Sequence, residues 1–159
     1  MIFQNNRKAF SMLTAIFIIV LMSTVAMLVT SLSGKVVKET TAQYQREQAV
    51  LLANSYTEYA VLAVTGNDRT TNCLSTINGT VGDATTSNPN NGYRIRTHIA
   101  YIGTPAVIGS CAGTRKLSEA VTTASTPLTI IVDAYVDYKD LDNPSGQNIV
   151  YHKRTVQKI

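Results

Sequence analysis

The chain has 159 residues, of which 45% are apolar and only 15% charged, with a formal net charge of +4. That is room for one modest domain and excludes a large two-lobed enzyme. Arg7 and Lys8 precede a long apolar run and Lys153, Arg154 and Lys158 crowd the C-terminus, so the charge marks no basic face in between and makes no case for a nucleic-acid surface.

The first element is the apolar run itself. From Phe10 to Leu32 stand 23 uncharged, mostly apolar residues. A helix of that length spans about 35 Å, enough to cross a hydrocarbon core of about 30 Å with some tilt. A removable secretory signal needs a shorter apolar core ending in small residues. The one candidate cut, Thr24-Val25-Ala26, would leave Met27-Leu28-Val29 as an apolar new N-terminus. Arg7 and Lys8 before the run are balanced by Lys35, Lys38 and Arg46 after it, so the positive-inside count does not set the orientation. The abundance of Thr, Ser, Asn and Gly after residue 64, and the cysteine pair, favour an extracytoplasmic C-terminal part.

Lys35 to Val64 contains no Pro and continues in helix formers. Val37, Tyr44, Leu51, Leu52, Tyr56, Tyr59, Leu62 and Ala63 fall within about 140° of arc at helical spacing, opposite Glu39, Arg46, Glu47 and Glu58. The pattern predicts an amphipathic helix whose large apolar side chains pack on a domain. Gly34 at the junction allows a bend, and Phe10 to Val64 would form one rod of about 80 Å.

With Arg7-Lys8-Ala9 followed by Phe10-Ser11-Met12-Leu13-Thr14 and a long helix, the segment resembles the N-terminus of type IV pilin-like proteins, which include the pseudopilins of type II secretion. The family's usual leader ends in Gly, here Ala9. The resemblance covers about the first 64 residues and implies cleavage after Ala9 by a prepilin peptidase and N-methylation of Phe10. It divides the chain into a leader, 1–9, a transmembrane half-helix, 10–33, an amphipathic half-helix, 34–65, and a periplasmic loop-plus-sheet domain, 66–159. The family usually carries Glu where this chain has Thr14. In the family that Glu faces a neighbour's charged N-terminus inside the filament, where an unpaired charge is costly. A Thr hydroxyl cannot neutralise a charge, which resembles the minor, tip-located members. The implied partners are the prepilin peptidase, other pilin or pseudopilin subunits and the inner membrane. A major type IV pilin and a single-pass membrane-anchored periplasmic binding domain are the competing readings.

From Gly66 to Gly92 the sequence predicts a long polar loop, interrupted only by the apolar stretch Leu74 to Ile77 and containing the formal glycosylation sequon Asn78-Gly79-Thr80. Tyr93 to Ile102 alternates, with Tyr93, Ile95, Thr97, Ile99 and Tyr101 on one side and Arg94, Arg96 and His98 on the other. Leu128 to Tyr138 alternates likewise, with Asp133 and Asp137 on the polar side. Asp140 to Asn148 predicts a hairpin turn into a third strand near Ile149 to Val156. The fold class that follows is α+β, a long helix packed on a small antiparallel sheet. Arg94 and Arg96 are expected to oppose Asp133 and Asp137 across strands, for some tenths of a kcal/mol if exposed.

Cys73 and Cys111 stand 38 positions apart. Outside the cytoplasm they pair, closing a loop worth about 3 to 4 kcal/mol, and two free thiols are the alternative. Asp140, Asp142 and Asn143 cluster oxygens as a calcium loop would but without its ordered spacing, which favours a turn. His98 and His152 lack the further ligands a metal site needs, and no nucleophile-and-base or phosphate-loop motif is present, so no cofactor and no enzymatic activity are expected. The eight tyrosines offer either an aromatic binding surface or, in the favoured reading, helix-to-sheet core with hydroxyls reaching water.

Overall fold

A computed structural model describes residues 6–113, 116–118 and 128–159, with the backbone alone for 6–11, 112, 113 and 118. The chain forms two compact units, Met1–Thr41 and Ala42–Ile159. Helix α1, Asn6–Gly66, supplies all the described structure of the first and opens the second.

In the first unit every described side chain but Thr41 is exposed. Its apolar stretch has a mean hydropathy of 2.6, which makes α1 long and apolar enough to cross a membrane. Three hydroxyls in this stretch bond back to their own helix. Thr24 donates to the Leu21 carbonyl at 2.8 Å, Thr30 to Ala26 at 2.9 Å and Ser33 to Val29 at 3.0 Å. Bonded to their own helix, these groups need no water, which is what a lipid-facing helix requires.

The second unit is a helix on a sheet. Strands β1 (Thr76–Val81), β2 (Tyr93–Gly103), β4 (Leu128–Tyr138) and β5 (Ile149–Lys158) lie side by side in the order β1-β2-β4-β5, antiparallel throughout. A short helix, α2 (Pro105–Ile108), and a 3-10 turn, Gly109–Gly113, follow β2. Strand β3 (Lys116–Ser118) then pairs parallel to the end of β2, on the edge that β1 leaves open.

The period-two pattern places Ile95, Thr97, Ile99 and Tyr101 of β2 and Ile130, Val132, Ala134 and Val136 of β4 in the core, all without exposure. The helix face that meets them is not the one its large apolar residues mark. Ala49, Ala53, Ala60 and Val64 are fully buried and Thr57 nearly so, while Leu52 and Tyr56 only flank the contact. Steric economy explains the choice. The sheet supplies bulky Ile, Val and Tyr, so the helix approaches best along a stripe of small side chains. Thr57 keeps its buried hydroxyl satisfied by donating to the Ala53 carbonyl at 2.7 Å.

The polar segment 66–92 is not all loop, since β1 lies within it. The strand hides from a sequence pattern because its core-facing positions include Gly79, where an added Cβ would overlap the Tyr56 hydroxyl. A glycine there lets the Tyr56 ring pass under the strand.

Cys73 and Cys111 are joined in a disulfide with Cα atoms 4.8 Å apart. It ties the segment after α1 to the turn after α2, where Ser110 donates from both its backbone and its hydroxyl to the Arg69 carbonyl, at 2.8 and 3.0 Å. Gly109 adopts φ 61°, and a Cβ there would overlap the same carbonyl, so only glycine fits the turn. Arg69 in turn donates to the Val64 carbonyl at 2.9 Å, capping an end of α1 that lacks further helix partners.

Candidate functional site

Two surfaces of the second unit carry chemistry. The first is a helix stripe. Tyr44, Leu51, Tyr59 and Leu62 are 64%, 59%, 55% and 69% exposed. At helical spacing they fall within about 80° of arc, on the far side from the alanine stripe. Sequence periodicity finds these residues but assigns them to the core. The helix instead turns them outward and buries smaller ones.

The second surface is the sheet face turned away from the helix. The strand register assembles it from residues far apart in sequence. Arg94 stands beside Asp137, Arg96 beside Tyr135, and His98 beside Asp133, while β5 sets His152 against Tyr135 and Arg154 against Asp133. The expected cross-strand contacts of Arg94 and Arg96 form with Asp137, and Asp133 is met from β5 instead. Both arginines converge on Asp137: Arg94 Nε donates at 2.7 Å, and Arg96 donates through Nε at 3.1 Å and Nη2 at 2.9 Å. Asp137 is also fully buried, so these contacts are not the exposed pairs worth only tenths of a kcal/mol. Asp133 is served from β5 by Arg154, at 2.7 and 2.9 Å, with the His152 ring nitrogen 2.8 Å away.

The arginine bonds hold the Asp133 carboxyl below its ordinary value of 3.8, with the His152 contact adding to the effect against a smaller cost of burial. A carboxyl depressed in the folded state stabilises the fold above its unfolded pKa and loses that contribution as pH falls through the folded value. Asp133→Asn is therefore expected to lower the melting temperature near neutrality and to flatten its fall below about pH 4, so that the two proteins converge in acid. Thermal melts of the two proteins across that window check it.

Between the carboxylates lies a ring cluster. The His152 ring stacks on Tyr135 with centroids 4.3 Å apart and planes 9° apart, and His98 meets Tyr135 edge-on at 5.9 Å. The Arg96 guanidinium stands 5.6 Å from the Tyr135 centroid. Tyr135 thus belongs to the outer face rather than the core. Tyr101 and Tyr138 are buried, and Tyr56, Tyr93 and Tyr151 pack against the core edge.

The remaining candidates fall elsewhere. Ala9 and Phe10 lie in the first turns of α1, and their side chains are outside the described residues. Thr14 is exposed on the apolar stretch. Asp140 and Asp142 shape the β4–β5 turn: the Asp142 backbone donates to Asp140 Oδ1 at 3.0 Å and the Asn143 backbone to the Asp140 carbonyl at 3.1 Å. Among the described residues, no three His, Cys, Asp or Glu come together in a group that could hold a metal ion. A groove of about 480 Å³ beside that turn is lined by Gln45, Arg46, Glu47, Tyr138 and Asp140, a mixed set that singles out no ligand. Comparison with protein-family models, curated proteins and solved structures returns no match.

Proposed function

We propose that the chain is a structural subunit of a pilus-like filament, of the minor pseudopilin type found in type II secretion or DNA-uptake machines. In this reading a prepilin peptidase removes residues 1–9 after Ala9 and Phe10 is N-methylated. The apolar half of α1 then roots the subunit in the bacterial inner membrane, with the sheet unit in the periplasm. The role is structural and not enzymatic.

The observation that carries the reading is the outward stripe of Tyr44, Leu51, Tyr59 and Leu62. An anchored domain acting alone would hold four large apolar side chains in water along one line, at a cost of about 25 cal/mol per Å² of apolar surface. In a filament the same line is covered by the helices of neighbouring subunits, and the apolar stretch reburies its side chains in the same way. The α+β architecture supports it, because the sheet covers one face of the helix and leaves the opposite one for other subunits. Thr14 favours a minor subunit over a major type IV pilin, since a hydroxyl offers no countercharge to a following N-terminus. The N-terminus of the mature protein tests the reading: it begins at N-methylated Phe10.

A further inference from the structure

The outer sheet face has a layered charge arrangement that the linear sequence conceals. Asp137 and Asp133 sit low, with side chains 1% and 16% exposed, and the groups above them are cationic or aromatic. Arg154 is 62% exposed, His152 40% and Arg96 39%. Each carboxylate fixes the orientation of the cations over it and is itself shielded from an approaching ligand. Lys158, opposite Thr129 on the same face, extends the cationic layer along β5. Solvent therefore meets the positive charges of Arg96, Arg154 and Lys158, with Arg94 largely covered beneath, over two sunken negative ones.

One end of this face opens into a cavity of about 260 Å³ lined by Asn78, Thr80, Thr86, Arg94 and Arg96. Its lining is donor-rich. Arg96 engages Asp137 through Nε and Nη2 and remains 39% exposed, and Asn78 and Thr80 project from the exposed side of edge strand β1. An oxyanion fits that set. Across the sheet from it runs the ring row His98, Tyr135, His152, edge-on between the first two, stacked between the last two and ending in the exposed His152.

From these features we infer that the outer face of the sheet binds single-stranded nucleic acid. The sugar-phosphate backbone is held by the Arg94–Arg96 cavity and by Arg154 and Lys158, and a base extends the His152–Tyr135 stack. Charge alone would suit any polyanion. The stacked Tyr135–His152 pair, with the His152 ring exposed at its end, is what selects a ligand with π-faces, since aromatic rings among cations on a sheet are how bases are gripped without sequence reading. The inference does not rest on the filament reading and stands whether or not the chain is processed.

The test is fluorescence anisotropy of the full chain in an uncharged detergent, with labelled oligodeoxythymidylate as one probe and poly-L-glutamate as the other. Binding of the oligonucleotide is expected, with log affinity falling against log salt at a slope of about −2 to −3 for three or four phosphate contacts. His152→Gln keeps a donor for Asp133 but removes the ring, and is expected to weaken oligonucleotide binding about tenfold while leaving any poly-L-glutamate binding unchanged. Lys158→Ala, an exposed site that leaves the core intact, lowers the slope by about 0.7. Lys153→Ala changes nothing, because that side chain lies on the helix side of β5, bonded to Asn54 at 2.7 Å. The inference is overturned by absence of oligonucleotide binding at low salt. It is equally overturned if both probes bind alike and His152→Gln is without effect, which would make the face a general polyanion surface.

Discussion

Asp137→Ala is expected to lower the stability of the second unit by about 3 kcal/mol, the low end of what breaking a buried ion pair costs. The carboxylate is fully buried and is the shared acceptor of Arg94 and Arg96. Without it Arg94, whose side chain is only 18% exposed, keeps just the Thr86 and Ser87 carbonyls as acceptors. Its charge is then stranded beside a neutral cavity. Arg96 is more exposed and can swing to water, which is why the loss stays near the lower bound. Arg96→Ala is correspondingly mild, about 1 kcal/mol, because Asp137 retains Arg94. Denaturant unfolding followed by tyrosine fluorescence measures both, since all eight tyrosines lie in the second unit. Equal, small losses for the two variants would show that Asp137 is not the organising charge of the outer face.

Replacing Cys73 and Cys111 together by Ala is expected to cost about 3 to 4 kcal/mol, the loop-closure contribution of a bridge spanning 38 positions. The bond also does local work. Cys111 is fully buried with Ile99, Tyr101, Ile108 and Leu128, and Cys73 packs against the same cluster. The segment it anchors carries Leu74, whose carbonyl accepts from the buried Tyr101 hydroxyl at 2.7 Å, and Ser75, whose carbonyl accepts from the Ile99 backbone at 2.9 Å. Loss of the bond therefore loosens the approach to β1 before it affects β4 and β5. Hydrogen exchange on the double variant should show protection falling first across Thr76–Val81 and only later across Leu128–Tyr138, and uniform loss would contradict this order.

Strands β2, β4 and β5 are legible in the sequence because each alternates with a period of two and, in β2 and β4, one face is almost wholly apolar. Strand β1 is not, since close approach to Tyr56 demands glycine at position 79, where the pattern would need an apolar residue. Strand β3 has three residues, too few for any period. The helix is legible as a helix, but its faces are exchanged. Periodicity weighs Tyr44, Leu51 and Leu62 above alanines, whereas packing against a bulky sheet rewards Ala49, Ala53 and Ala60.

The outer face escapes the sequence for a different reason. Arg94, Arg96, Tyr135, His152 and Arg154 lie on three strands, and no charge run joins them until the register does. Along the chain, positive charge is scattered and forms no run between the two ends. In the folded sheet it gathers over one buried and one half-buried carboxylate, Asp137 and Asp133.

The most direct measurement is intact-mass and N-terminal peptide analysis of the protein isolated from its own host's membranes. The filament account predicts a chain that starts at N-methylated Phe10, with residues 1–9 gone and the apolar stretch retained. A chain that keeps Arg7 and Lys8 would contradict it and make the protein an ordinary anchored domain, and a start near Met27 would make the apolar stretch a discarded signal.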